Sequence, residues 1–280
     1  MAHYSISVLE LGYAEQFPAD FSYDGYYRPG EMIWSPFSMT LLQGEGKKIL
    51  IDCGFDMKDP VKQGIYAASF ASNGHGPDEV LATVGLTPED IDAVILTHLH
   101  WDHTGGVKCF PKSTFYLQRE EHEGWTKIGN DPDYKALTAR SFDANDLRAL
   151  SELREQGRLV LLDGDVDDLF PGVHIRVSRF AHTFAQQMVY VDNDTGVILV
   201  LGDVCNLPGN LLGTSEFPYF IPNPKFAIGS PYNAVADYKR IMEWAKGDVD
   251  RMVMTHDGTR SGRFKETKTR LGLSVYEIFT

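Results

Sequence analysis

The chain reads as a mixed α/β protein, with strands enough for two sheets and helices on their outer faces, in one domain spanning residues 1–280. Three observations predict this. Short apolar, β-rich runs recur from end to end, separated by turns or helical stretches. Several are continuously apolar rather than alternating, as in Val197-Ile198-Leu199-Val200-Leu201, the pattern of strands covered on both faces. The 280 residues, 43% hydrophobic and 23% charged, suffice for a sizeable core, and no linker, repeat or low-complexity tract divides them.

In chain order, strands are predicted at Ser38–Leu42, Lys48–Asp52, Ala93–Thr97, Thr114–Gln118, Leu159–Asp163, His174–Ser178, Met188–Val191, Val197–Leu201 and Met252–Thr255. Gln43-Gly44-Glu45-Gly46 and Asp192-Asn193-Asp194-Thr195-Gly196 are hairpin signals. Helices are predicted at Pro77–Val84, after Thr87-Pro88 with Thr87 as N-cap, at Asp143–Gln156 and at Ala234–Trp244. In the third of these, Leu147, Leu150 and Leu153 recur at three-residue spacing and Gly157 supplies the stop. Two aromatic-rich segments resist regular structure, residues 11–37 and 206–233. Loops of that length are uncommon in compact domains unless functional, so they are expected to form a lid and pocket wall or to tuck under a sheet edge.

Composition narrows the partners. Lys plus Arg total 26 against 39 Asp plus Glu, a formal net charge of −13. Nucleic acid and anionic membrane surfaces would be repelled. No run approaches the roughly 18–20 apolar residues of a membrane span, and the first residues lack a basic then apolar leader pattern. Three scattered cysteines, Cys53, Cys109 and Cys205, suit a reducing compartment. The expectation is a cytoplasmic protein acting on a small molecule.

The chemistry concentrates in Thr97-His98-Leu99-His100-Trp101-Asp102-His103-Thr104-Gly105-Gly106, directly after the apolar run Ala93-Val94-Ile95-Leu96. Strand ends of α/β proteins are where sites are built. His98 and His100, two residues apart, aim the same way off an extended chain, and Asp102 and His103 follow in the turn. Lone donors stand beyond three other apolar runs: His182, Asp203 and His256. Each alone reads as a cap or a solvated residue; together they complete a metal cluster. His3, His75, His122 and His174 fit no ligand position and read as surface or ordinary polar residues. Cys53 reads as core, and Cys205 as a small buried hydrophobe.

With Ile51-Asp52-Cys53-Gly54, the motif, His182, Asp203 and His256 in this order, the chain resembles the metallo-β-lactamase-fold hydrolases, whose signature is His-x-His-x-Asp-His after a strand. The resemblance implies a four-layer αβ/βα sandwich with metals between the loop ends of two sheets. It implies His98, His100 and His182 on one ion, Asp102, His103 and His256 on the other, Asp203 bridging, and Asp52 supporting the ligands from behind. Two divalent cations so placed activate water without a basic side chain. The donors suit zinc, the family's usual ion, and also iron, manganese or cobalt.

Within the fold, Pro36-Phe37-Ser38-Met39-Thr40-Leu41-Leu42 and Leu117-Gln118-Arg119-Glu120-Glu121 resemble the N-acyl homoserine lactonase branch, which implies opening of a lactone ring. Asp102 and Asn206 are the implied catalytic residues, Asn206 standing where that branch has a tyrosine. Trp34, Trp101, Phe184 and Phe220 are the aromatics expected to line a pocket for a partly apolar substrate. The segment after His182 reads Thr183-Phe184-Ala185-Gln186, without the second histidine usual in the superfamily. Another cyclic ester, a cyclic amide or a thioester (glyoxalase II-like) is the alternative substrate, and a non-catalytic metal-binding module the alternative role. The basic residues Arg260, Arg263, Lys265, Lys268 and Arg270 are read as a solvated face or helix end. The aromatics of 206–233 would serve a homodimer interface as readily as a ligand.

Overall fold

The computed structural model describes residues 3–23, 30–223 and 228–280. Tyr26, Tyr27 and Phe226, counted among the loop aromatics, lie outside the described residues.

One sheet has eight strands. In spatial order they are β12 (Lys265–Lys268), β13 (Ser274–Phe279), β1 (Tyr4–Pro18), β2 (Met32–Gly44), β3 (Lys47–Ile51), β4 (Ala93–Ile95), β5 (Thr114–Gln118) and β6 (Leu159–Leu162). The other has five: β11 (Met252–Val253), β10 (Gly196–Val200), β9 (Ala185–Asn193), β8 (Val173–Arg179) and β7 (Val166–Phe170). Pairing is parallel from β3 to β6 and between β10 and β11, and antiparallel elsewhere.

The continuous apolar runs explain the layering. With side chains alternating across a strand, Ile49 and Ile51 of β3 join Ile198 and Val200 of β10 in the core between the sheets. Leu50 points the other way, into a core with Val80 and Leu81 of α2 (Pro77–Ala82), Trp125 of α4 (Arg119–Ile128) and Leu147 and Leu150 of α6 (Ala144–Glu155). Leu199 and Leu201 pack against Tyr238 and Ile241 of α8 (Pro231–Trp244). The result is helix, sheet, sheet, helix: the four-layer sandwich. Shorter helices accompany these, α1 (Gln63–Ala68), α3 (Trp101–Thr104), α5 (Lys135–Thr138) and α7 (Pro208–Leu212), with a 3-10 turn at Pro88–Asp90 that Thr87 caps as the sequence suggests.

Both hairpin signals form, with Glu45 and Gly46 in the left-handed region between β2 and β3 (φ 50° and 69°) and Asn193 pairing Gly196 in the second. The expected irregularity of 11–37 is corrected. β1 runs to Pro18 and β2 starts at Met32, paired as a bulged ribbon in which Gly12 faces Phe37 and Phe17 faces Ile33. Register shifts at Glu10/Gly12 and Ala14/Phe17 break the period-two pattern, and such bulges hide a strand from sequence inspection. Segment 206–233 likewise contains α7 and the first turn of α8, where the Ser230 side chain caps the Asn233 N–H. The basic run 260–270 is no helix end: its Lys265–Lys268 stretch is β12, an edge strand guarded by lysines.

Candidate metal centre

The motif begins where β4 ends. His98 leaves the strand, His100 stands at the N-cap of α3, and the single turn of α3 presents Asp102 and His103. A side chain at Gly106 would collide with the carbonyl oxygen of Cys53, so only glycine lets the two segments approach so closely. His182 lies between β8 and β9, Asp203 follows β10 past Gly202 at φ 53°, and His256 follows β11.

These ends converge. One ligating atom each from His98, His100, His182 and Asp203 lie within 4.8 Å of one another, and so do those of Asp102, His103 and His256. Asp203 stands between the groups. Its Oδ2 is 3.5 Å from His182 Nε2, 3.9 Å from His98 Nε2 and 3.3 Å from His256 Nε2, and its Oδ1 is 3.4 Å from His103 Nε2. Asp102 Oδ2 lies 3.5 Å from His103 and 3.4 Å from His256.

The electrostatics divide the same way. Burial, with neighbouring imidazoles adding to it, holds His98 and His100 well below the usual histidine range and brings His182 to about 4, leaving their nitrogens free to ligate. Burial opposes charge on His103 and His256 too, but Asp52, Asp102 and Asp203 outweigh it and raise both. Burial raises the Asp102 carboxyl; it would raise Asp203 as well, but His256 and His103 hold that group well below the carboxylate range.

The donors fit divalent cations on a structural criterion. Nε2 of His98 and His103 and Oδ1 of Asp203, which face the centre, are buried with no hydrogen-bond partner, and His182 Nε2 and His100 Nδ1 meet there at 3.1 Å. Each such atom costs about 1–3 kcal/mol, so a cluster of them at one point marks a place built for a ligand. Outer contacts orient the rings. His103 Nδ1 lies 2.6 Å from Asp52 Oδ2, and His256 Nδ1 donates to the Pro36 carbonyl at 2.9 Å, turning its Nε2 inward.

The metallo-beta-lactamase superfamily model matches residues 34–215, well over half of the chain. The chain belongs to the metallo-beta-lactamase superfamily. It is 24% identical over 238 residues to an N-acyl homoserine lactonase of Bacillus thuringiensis, a match covering 82% of this chain and 84% of that protein. A solved N-acyl homoserine lactone hydrolase, with the product N-hexanoyl-L-homoserine bound at its catalytic metal center, superposes with a TM-score of 0.68 over 93% of this chain and 96% of that one, at 20% identity. A dizinc quorum-quenching lactonase superposes at 0.64, covering 99% and 96%, at 18% identity. These similar proteins carry the name of the branch that Pro36–Leu42 and Leu117–Glu121 resemble.

Within this superfamily fold a cavity opens over the cluster. His100, Asp102, His182, Asp203 and His256 form its floor, Phe17, Phe21, Phe37 and Trp101 its apolar walls, and Ser69, Arg140, Ser141 and Asn206 its polar rim. Trp101 is where the sequence suggested. The other three aromatics are corrected. Phe184 packs edge-on against Trp125 at 5.6 Å, and Phe220 against Tyr238 at 5.8 Å in the α8 core. Trp34 stacks on Tyr13 at 4.1 Å and lines a neighbouring cleft with Tyr23, Leu207 and Pro208. Phe184 and Phe220 are thus packing residues, while Trp34 is partly exposed at that cleft. His3, His75 and His174 sit on surface ion pairs, whereas His122 is buried on α4. Cys53 is core, and the Cys205 sulfur is 3.7 Å from that of Met254 in the α8 core.

Sequence inspection missed three supports of the centre. Glu121 of α4 is fully buried and accepts the N–H groups of Leu99 at 3.1 Å and Ala185 at 2.8 Å and the Trp125 indole at 2.7 Å. Arg260, read as solvated, is buried: it donates to the carbonyls of Met254 and, at 3.1 Å, Thr255, just before His256. Ser38 Oγ donates to the same Thr255 carbonyl at 2.7 Å. Nothing in the local sequence marks them: Glu121 and Arg260 stand in polar stretches, and Ser38 is one small residue in a strand. Among the described residues no helix is long and apolar enough to cross a membrane.

Proposed function

We propose that this chain is a dinuclear metal-dependent hydrolase that opens a lactone ring. The observation that carries the reading is Asp203 standing between two buried donor groups at the floor of an apolar-walled cavity. His98, His100 and His182 would hold one divalent cation and Asp102, His103 and His256 the other, with Asp203 shared; zinc suits these donors, as do iron, manganese and cobalt. When bound, such a pair supplies an activated water and a Lewis acid at neutral pH.

The chain's own groups do the rest. Phe17, Phe21, Phe37 and Trp101 exclude bulk water and fit a partly apolar substrate body. Asn206 is 7% exposed, lines the cavity and has an amide oxygen without a partner. Its NH2 is free to donate to the oxyanion that forms as the carbonyl is attacked. Asp102 also lies on the cavity floor, where burial raises its carboxyl. The relatives' names support a lactone as the ring that is opened.

The test is metal analysis together with turnover of a panel of lactones, cyclic amides, thioesters and simple esters. About two ions per chain with lactone hydrolysis is the expected outcome. His100→Ala and Asp203→Ala should each lose metal and activity together. Bound metal without hydrolysis of any substrate would make the chain a binding module, and thioester turnover alone would reassign the substrate.

A further inference from the structure

We propose that Arg140 binds an anionic group on the substrate, so that the natural substrate is a lactone carrying an ionised acid such as a carboxylate. This deepens the hydrolase reading and rests on it for the identity of the reacting ring.

Among the described residues Arg140 is the one Lys or Arg lining the metal cavity. Its platform is rigid. The Ser141 carbonyl accepts the Trp101 N–H at 2.9 Å, tying the segment to the turn that carries Asp102 and His103. Phe142 stacks on Trp125 at 4.5 Å with ring planes 2° apart. Asp143 caps the following helix by accepting the Asn145 N–H at 2.8 Å. Thr138, Ser141 and Phe142 are all buried, while Arg140 itself is exposed.

A surface arginine is ordinarily neutralised by a nearby acid, and the chain has an excess of acids. Here the nearest in sequence are committed elsewhere. Asp146 grips the buried Lys62 Nζ at 2.5 and 2.7 Å, and Asp143 lies 3.7 Å from the same nitrogen. Among the described residues Arg140 makes no ion pair or hydrogen bond. An unneutralised guanidinium on an anchored backbone, beside Ser69 and Ser141, offers a planar fork of donors to a carboxylate. Phe17 and Phe21 line the same cavity and offer an apolar surface to the rest of such a substrate.

The experiment separates this inference from the lactone reading. Two cyclopentanones, with the ring ester replaced by a ketone and differing only in a side chain that ends in a carboxylate or a primary amide, are titrated calorimetrically into metal-loaded protein. The two matching γ-lactones are assayed for turnover. Wild type should bind the carboxylate about tenfold more tightly than the amide or better. Arg140→Gln should abolish that preference while leaving amide affinity unchanged, and Arg140→Lys should retain part of it. Raising ionic strength from about 0.05 to about 0.5 M should shrink the preference. Equal binding of the two ketones by wild type, binding of neither, or a preference that survives in Arg140→Gln overturns the proposal. A binding preference without turnover of either lactone leaves Arg140 as an anion site and sinks the lactone reading instead.

Discussion

The Asp52 carboxylate takes three donors from the turn that carries the candidate ligands. Oδ1 accepts the Thr97 N–H at 2.7 Å, and Oδ2 meets the Thr97 hydroxyl at 2.9 Å and His103 Nδ1 at 2.6 Å. Asp52 does this from a left-handed backbone, φ 62°, a conformation that Asp and Asn tolerate better than most residues. The carboxylate thereby fixes the His103 tautomer with Nε2 facing Asp102 and Asp203.

Asp52→Asn keeps the backbone fit and loses the charge. The ion held by Asp102, His103 and His256 should bind about 10–100-fold more weakly, read by competition with a chelator. Asp52→Ala should also lower Tm, because alanine is strained at that φ. An Asn variant that binds both ions as wild type does would remove Asp52 from the centre.

Glu121 links two ligand segments that are far apart in sequence, holding the N–H of Leu99, between His98 and His100, and that of Ala185, three residues past His182. Burial raises its carboxyl, opposed by these hydrogen bonds. Glu121→Gln presents an amide NH2 where all the neighbours are donors. It should cost about 1–3 kcal/mol of stability and weaken metal binding together with it. Thermal unfolding with and without added metal separates the effects: a lower Tm with unchanged metal affinity would leave Glu121 a purely structural tie.

The Lys62–Asp146 pair, which meets the ligand turn through the Thr104 hydroxyl at 3.4 Å, gives a pH dependence. Burial pushes the Asp146 carboxyl from 3.8 up to about 6, more than the Lys62 ammonium pulls it down. Below about pH 4 the group is protonated in both folded and unfolded chains, and its full contribution is present. As pH rises toward about 6 the unfolded chain gives up its proton first, and roughly 3 kcal/mol of stability is lost. Asp146→Asn cannot titrate, so the variant should gain on wild type over that window in urea unfolding of chelator-treated protein. If the variant instead falls behind above pH 6, attraction to Lys62 outweighs the cost of burial.

What the sequence revealed was what local patterning encodes. The run Val197–Leu201 had to be covered on both faces, and it is, by the other sheet and by α8. Donors just past apolar runs had to gather at one end of the sheets, because parallel and sandwiched strands present their ends together. Non-local matters were hidden. Phe184 and Phe220 carry no mark telling a layer contact from a pocket wall. The β1–β2 ribbon slips register twice, so its aromatics lose the alternation that would reveal a strand. Arg260 looks solvated until the carbonyls of Met254 and Thr255 are brought to it.

Asn206 offers the sharpest separation of binding from chemistry. It is not in either donor group, its side chain is buried at the cavity rim, and its amide oxygen is unpartnered. No contact of the fold therefore consumes the side chain, and removing it should cost little stability. Asn206→Ala should lower kcat on the best lactone about 10²–10³-fold, the size of effect seen when one oxyanion donor is lost, with two ions still bound and KM little changed. Asn206→Asp should be worse than Ala, because a carboxylate there faces developing negative charge. A rise in KM with kcat intact would instead make Asn206 a ground-state binding contact, and no change in either constant would leave the oxyanion without a donor from this side of the cavity.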